Sequence, residues 1–549
     1  MKKRITFLIL LTSLVVLGGI LSKKENEKQL DNLENIKLAI YVNNEKTKTI
    51  PTKGENIFDE AKSSCTNDAY IIWDYESWSP IVKNVTTSLT KCNLYFKKGY
   101  SETILNGTDP VIKDELIPVT IDSDGTVKKA DIGSEWYSYE KKNWANAIIL
   151  KDETEDYLAG EVIPEDKIES YFVWIPKYRY QLWDLGQYNS LTAIDTSKVH
   201  EIPIIFGNYN TSDDKENECT TPMESGETGN CQVGNYMTHP AFLSIPSTGF
   251  WASKFSAGYD GAKSVEEAQS NKRDASKVIV KPNVYSWRNI QLTNAFYTSY
   301  DYKRDLDSHM MKNTEWGAVA YLQHSAYGSA ISLRINNNND QITGYAANNE
   351  PTCGWTATNE ECSRYCNDGT CNTAYPNSLL ASTTGDITGL FDMAGRAAFV
   401  MGVMLDETGN PMSGRNNLYN SGFNGTFSCP TCDNDTSGLT KLTTGNDWPD
   451  KRYYDAYDYF ATDNQYQKRI LGDATGEMGP IEKKYTGYVN HETTSWYNDL
   501  ISNYNKYTPI ASRGYYLNGG YSSGIFAFQG LYGNAASATF RIILTPTKN

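Results

Sequence analysis

Cysteine and histidine are the side chains best suited to nucleophilic or metal chemistry, and this 549-residue chain holds ten of the first and five of the second. The cysteines are Cys65, Cys92, Cys219, Cys231, Cys353, Cys362, Cys366, Cys371, Cys429 and Cys432. Cys353, Cys362, Cys366 and Cys371 lie near enough in sequence to suggest zinc. Structural zinc takes closely paired knuckles, and only half of this spacing complies. Cys429-Pro-Thr-Cys432 has the spacing of a redox dithiol, but it sits in the polar run "FSCPTCDNDTSG", outside any strand–helix–strand pattern. An even cysteine count in an exported chain points to disulfides instead. Proximity pairs Cys65 with Cys92, Cys219 with Cys231, and Cys429 with Cys432. Two further bridges among Cys353, Cys362, Cys366 and Cys371 leave their partners open.

The histidines His200, His239, His309, His324 and His491 form no H-E-x-x-H or comparable pair at helical spacing. His309 and His324 flank one predicted helix and are expected as capping or exposed residues. There is no G-x-S-x-G nucleophile turn and no phosphate-binding glycine loop. Neighbouring carboxylates such as Asp305 and Asp307 are ordinary on an acidic chain. "DSDGT" at 122–126 resembles part of a calcium loop but lacks its remaining ligands, so a turn is expected. No metal-ligating set is therefore expected.

The elements that carry these residues begin with an export signal. Lys2, Lys3 and Arg4 precede an apolar run from Ile5 to Ile20, followed by a polar segment from Lys23. Residues 1–22 read as a signal peptide or a membrane anchor, and both remain open. Positive-inside logic places the rest outside the cytoplasm. The net charge of −15 argues against nucleic-acid binding, which needs basic surfaces to displace counterions. Residues 23–35 read as a polar stalk. Residues 36–98 read as a small β-sandwich-like spacer domain, stapled by Cys65 and Cys92 because so small a core needs a cross-link. Residues 99–130 read as a linker, and 131–549 as one large domain.

The large domain opens with aromatic-rich strands, "EWYSYEKKNWANAIIL" and "YFVWIPKYRYQLW", then "GFWASKFSAGYD". "DSHMMKNTEWGAVAYLQHSAYG" predicts a helix, capped by Asn313 or Thr314 with Glu315 in its first turn. Met311, Trp316, Val319, Ala320 and Leu322 form its buried stripe. Residues 336–384 and 406–510 read as long polar insertions.

Three segments together resemble one family. "HMMKNTEWGAVAYL" (309–322) is similar to the helix "LPTEAEWEYAA". "TGLFDMAGRAAFVMG" (388–402) is similar to "GLYDMAGNVWEW". "SRGYYLNGGY…FRIIL" (512–544) is similar to "RGGSW…GFR". Their order matches the formylglycine-generating-enzyme-like, or sulfatase-modifying-factor, branch of the C-type lectin fold. The resemblance covers roughly 131–549 and implies an α+β body, preceded here by the disulfide-stapled β unit, in which the N- and C-terminal strands pair. It also implies that Gly389, Phe391, Asp392, Met393 and Gly395 build a structural turn, and that Arg513 and Arg541 bracket the last loop-and-strand region. The family's oxidase uses a cysteine pair near the C-terminus, with copper. No cysteine follows Cys432 here, and thiolate chemistry needs a thiol. The Asn that helps hold calcium in some relatives is replaced by Arg396. Neither catalysis nor a resident cofactor is therefore expected, with calcium left open.

Between Arg513 and Arg541 lie 27 residues without a charge, six of them Gly and four Tyr. This ending resembles the variable surface proteins of diversity-generating retroelements, which randomise codons near the C-terminus of the same fold. The expected contact residues are Tyr515, Tyr516, Leu517, Asn518, Tyr521, Gln529, Leu531, Tyr532 and Asn534. Tyr offers large amphipathic area at low entropy cost, and Asn adds adaptable polar contact. Ile525, Phe526, Phe528, Phe540, Ile542 and Leu544 are expected in the core. The expectation is a non-catalytic cell-surface protein, secreted or tethered to the membrane through its N-terminal segment, that binds an extracellular protein or glycan. A diverged enzyme and a structural adhesin subunit are the alternatives.

Overall fold

In a computed structural model, the chain divides into two compact units, Met1–Ile104 and Leu105–Asn549. The first unit is described only in four strands. β1 (Lys37–Val42) pairs antiparallel with β2 (Glu45–Pro51), and β3 (Ala69–Asp74) with β4 (Ser79–Asn84). In the second unit the structure describes residues 107–181, 202–207, 236–245, 247–347, 373–412, 421–423, 448–458, 472–474, 493–494, 499–502, 508–514, 523–533 and 538–547. Residues 1–35, expected as signal segment or anchor and stalk, and all ten cysteines lie outside the described residues. Among the described residues no helix is long and apolar enough to cross a membrane.

The second unit is a mixed α+β structure, mostly strands with two α-helices. Its strands, in chain order, begin with β5 (Ile117–Ile121), β6 (Val127–Lys129), β7 (Asn146–Leu150), β8 (Ile168–Pro176), β9 (Tyr178–Gln181), β10 (Ile204–Phe206) and β11 (Tyr236–Thr238). Next come β12 (Gly249–Ser253), β13 (Gly258–Tyr259), β14 (Val278–Ile279), helix α1 (Leu292–Tyr302), β15 (His309–Met310) and helix α2 (Asn313–Gln323). The rest are β16 (Ala398–Met404), β17 (Asp455–Tyr457), β18 (Thr493–Thr494), β19 (Leu500–Ser502), β20 (Ile510–Arg513), β21 (Phe528–Leu531) and β22 (Ile542–Leu544).

Near-continuous apolar strands are what a sheet covered on both faces requires. β7 and β12 are buried at every position, and β8 at all but one. They form the centre of an antiparallel seven-stranded sheet ordered β15-β22-β12-β8-β7-β5-β6. Trp174 of β8 and Trp251 of β12 meet edge-on at 5.4 Å, and their indole N–H groups donate to Thr108 and Val111 carbonyls. Those buried donors would otherwise be left without partners.

Two expectations change here. Residues 99–130 are more than a linker, because β5 and β6 extend the sheet as an edge hairpin. "DSDGT" is the turn of that hairpin, closed by Asp122 and Thr126 main-chain bonds. The last strand, β22, does not pair with the first strands of the unit. It lies between β15 and β12, because β12, β8 and β7 separate it from β5.

A second sheet, ordered β17-β16-β20-β21-β19-β18, carries the C-terminal region. Its β16–β17 and β19–β21 pairs are parallel, and the others antiparallel. β9 pairs with β10 and β11, and β13 with β14, in smaller sheets. Helix α2 is buried on every face, and all five residues of the expected stripe are buried, with Met311 lying just ahead of the helix. Its N-cap is Lys312, not Asn313 or Thr314, and the Glu315 carboxylate accepts the Lys312 N–H at 2.8 Å.

Candidate functional site

β20 and β21 pair antiparallel from Ile510↔Leu531 to Arg513↔Phe528, so the residues between them form a hairpin connection. Tyr515, Tyr516, Leu517, Asn518 and Tyr521 belong to that connection and lie outside the described residues, as does Asn534. The stem beneath them is described. Gly514 packs so closely on Arg396 that a Cβ at 514 would sit 2.6 Å from the Arg396 carbonyl oxygen. On the other side, the Gly395 N–H donates to Ser523 O at 2.6 Å. The Phe526 N–H donates to the Asp499 carboxylate at 2.9 Å. Trp316 of α2 donates its indole N–H to Ile525 O at 2.8 Å.

A second connection, from β21 to β22, is held in the same manner. Leu292 N–H, at the start of α1, donates to Gly533 O, and Thr539 bonds with Ala397 and Phe399. Of the expected contact residues that are described, Gln529 and Tyr532 are half-buried, whereas Leu531 is buried, at 8% exposure. Leu531 is thus placed as a stem residue, where strand pairing with Ile510 turns it inward. Ile525, Phe526, Phe528, Phe540, Ile542 and Leu544 are all buried, as their apolar character predicts.

The three family-like segments interlock. Met401 N–H donates to Met311 O, and Met311 N–H to Arg541 O. Arg513 Nε donates to Asn313 Oδ1 at 2.7 Å, and its other nitrogens to the carbonyls of Asp473 and Ala474. Arg541 donates to Ser253 O at 2.8 Å and to Phe391 O. Asp392 is the hub of the 389–396 turn. Its carboxylate accepts Asn336 Nδ2 at 2.6 Å, Gly344 N–H at 2.9 Å and Ser256 N–H at 3.2 Å. Both Asp392 (φ 57°) and Gly395 (φ 85°) are left-handed. Arg396 is buried and donates to Gln341, to Asn336 Oδ1 at 3.0 Å and to Ile342 O at 3.0 Å. Burial pushes the Arg396 and Arg541 guanidiniums down to about 10, with Asp392 opposing in each.

A cluster of buried titratable groups at the start of α2 escaped the sequence reading. His309 Nε2 lies 3.1 Å from Glu315 Oε1, and Lys312 Nζ 3.5 Å from the same oxygen. Burial works to raise the Glu315 carboxyl, but Lys312 and His309 outweigh it and hold it below the usual range. Asp455, on β17, caps the helix by accepting Thr314 N–H at 2.7 Å. Burial pushes its carboxyl up to about 6. Carboxyls driven apart in this way can divide acid and base roles. Here both are occupied in holding the helix terminus, Glu315 buried and Asp455 half-buried. His309 and His324 are buried, not exposed, and burial pushes His324 down to about 3. His324 does occupy the C-cap of α2, packed on Phe526 at 4.7 Å between ring centres.

An open groove of about 730 Å³ is lined by Pro110, Val111, Ile112, Lys113, Asp114, Glu115, Asp305 and Leu306. None of the buried titratable groups just named lines it. Among the described residues, no group of three or more His, Cys, Asp or Glu side chains is placed to hold a metal. No family model matches the chain, and no curated protein is detectably similar to it.

Proposed function

We propose that this is a non-catalytic binding or display protein on the outside of a bacterial cell, exported or tethered by its N-terminal segment. In this reading its larger unit is a formylglycine-generating-enzyme-like variant of the C-type lectin fold. The C-terminal connections would present Tyr515, Tyr516, Leu517, Asn518, Tyr521, Gln529, Tyr532 and Asn534 to an extracellular protein or glycan.

The observation that carries the reading is the mutual anchoring of the three family-like segments, with both connections sprung from that anchor. Met311, Met401 and Arg541 are joined through main-chain bonds, and Gly395 and Gly514–Arg396 hold the two sides of the first connection. A rigid base lowers the ordering cost when a surface loop binds. The buried acids and histidines support the same reading, since each is engaged in structure.

Sequencing the 3′ end of this gene from many isolates tests the diversification part. Substitutions concentrated at the named Tyr and Asn codons, next to a template repeat and a reverse transcriptase, are the expected result. An invariant end would remove that part. Stoichiometric copper or zinc in the purified full-length protein would overturn the non-catalytic assignment.

A further inference from the structure

Arg288 stands out among the buried cations of the second unit. It is 8% exposed, and its Nε is enclosed without a hydrogen-bond partner. The Nε atoms of Arg396 and Arg541 are enclosed without a partner too, but Arg396, Arg513 and Arg541 each reach two or more oxygens through other nitrogens, and Arg288 reaches none among the described residues. No carboxylate among the described residues reaches ion-pairing distance of Arg288. Leaving a mostly buried charge unpaired is costly, so such a group points to a missing counter-charge.

The main chain fixes its neighbours. Arg288 N–H donates to Ala268 O at 3.1 Å, and Ser270 N–H donates to Arg288 O at 3.2 Å. Asn271 follows directly. It is 1% exposed, and its Oδ1 accepts Gln291 N–H at 2.6 Å while its Nδ2 donor is enclosed without an acceptor. Two unmatched donors thus lie on adjoining segments. Ser286, two residues before Arg288, donates its N–H to Gln341 O at 3.0 Å, and the Gln341 side chain accepts from Arg396. Arg288 and Arg396 are close enough to repel, and this opposes the Arg396 charge. Asp392 offsets Arg396 and Arg541, whereas the carboxylate that offsets Arg288 belongs to the exposed Glu266.

We propose that Arg288, with Asn271 on the adjoining segment, is the receptor for an oxyanion: the carboxylate, sulfate or phosphate group of an acidic ligand. The guanidinium fork presents parallel N–H donors that match two oxygens of one such group. The Asn271 amide supplies a further donor on the adjoining segment. Glu266 is the resident competitor, and an entering oxyanion displaces its influence. This site rests on enclosed donors of the scaffold, so it stands or falls independently of what the C-terminal connections bind.

The test uses the full-length protein. Thermal unfolding is followed while sodium acetate, sulfate or phosphate is titrated, with sodium chloride at matched ionic strength as the reference. A ligand that binds only the folded state raises the midpoint with saturation. The expected result is a saturable rise with at least one oxyanion at millimolar concentration and none with chloride. Whichever anion saturates first separates a carboxylate from a sulfate or phosphate source. Arg288→Gln should weaken the apparent affinity by about tenfold or more, the scale of a charge-assisted hydrogen bond. Glu266→Gln should tighten it, and it decides the matter if Arg288→Gln fails to fold. The site is refuted if wild-type protein shows no saturable oxyanion effect. It is also refuted if Arg288→Gln keeps the wild-type response, or if Glu266→Gln leaves the affinity unchanged.

Discussion

Replacing Gly395 with Ala tests whether the turn beneath the C-terminal hairpin is held by sterics. Gly395 has φ 85°, and a Cβ there would lie 2.5 Å from Asn336 N and 2.6 Å from Asn336 O, in collision also with Ile335 Cγ2. The left-handed conformation alone costs an alanine about 1–2 kcal/mol. Overpacking a filled site adds about 1–3 kcal/mol. Gly409 separates the two effects, since its φ is 82° but an added Cβ would meet nothing within 4 Å. Gly409→Ala should therefore lose about 1–2 kcal/mol, the conformational part alone. Gly395→Ala should lose about 2–5 kcal/mol, the sum of both. Urea unfolding of the two variants, compared at equal slope, measures the difference. If the two losses agree within about 0.5 kcal/mol, the close approach of residues 335–336 is not what fixes this turn.

Asp392→Ala removes the acceptor of three buried donors and the charge offsetting Arg396 and Arg541, and should cost about 3–5 kcal/mol by the same assay; Asp392→Asn should lose distinctly less. His324 gives a pH signature. Its folded pKa, about 3, lies below the ordinary 6.5, so between those values the unfolded chain binds a proton that the folded chain does not. Its stabilising contribution is present above pH 6.5 and is lost as pH falls toward 3. In His324→Phe, the thermal midpoint should fall less steeply over that window, and an unchanged slope would contradict the assignment. Phe526→Ala should cost about 3–5 kcal/mol by emptying a core position, whereas Tyr515→Ala and Tyr516→Ala should stay within about 0.5 kcal/mol. Comparable losses in all three would place the tyrosines in the core.

Helix α2 was legible in sequence because Glu315 marks its first turn and Trp316, Val319, Ala320 and Leu322 recur at helical spacing. Its N-cap was not, since the residue that caps from outside is Asp455, more than a hundred positions away. Helix α1 was missed for another reason. It buries Thr293, Asn294, Thr298 and Ser299 beside Leu292, Ala295 and Phe296, so polarity conceals its inner face. β5 and β6 were hidden by their place at the sheet edge, where a short hairpin with a polar turn looks like connecting chain. The apolar members of the ending announced their burial. Leu531 lies in the same run as the expected contacts Gln529 and Tyr532, and its burial opposite the buried Ile510 sets it apart from them. The unmatched Arg288 could not be read at all, because an isolated arginine in sequence gives no sign of what it lacks.

The hairpin between β20 and β21 closes largely through main-chain atoms: Gly395 N–H on Ser523 O, Phe526 N–H on Asp499, and Gly514 against the Arg396 carbonyl. Every one of these atoms lies outside positions 515–522. On the display reading proposed above, substitutions at those eight positions leave each of these anchors in place. If the display proposal holds, a lineage under pressure to change its surface would vary the letters of 515–522 while Gly395, Gly514 and the pairs that anchor the stem stay fixed.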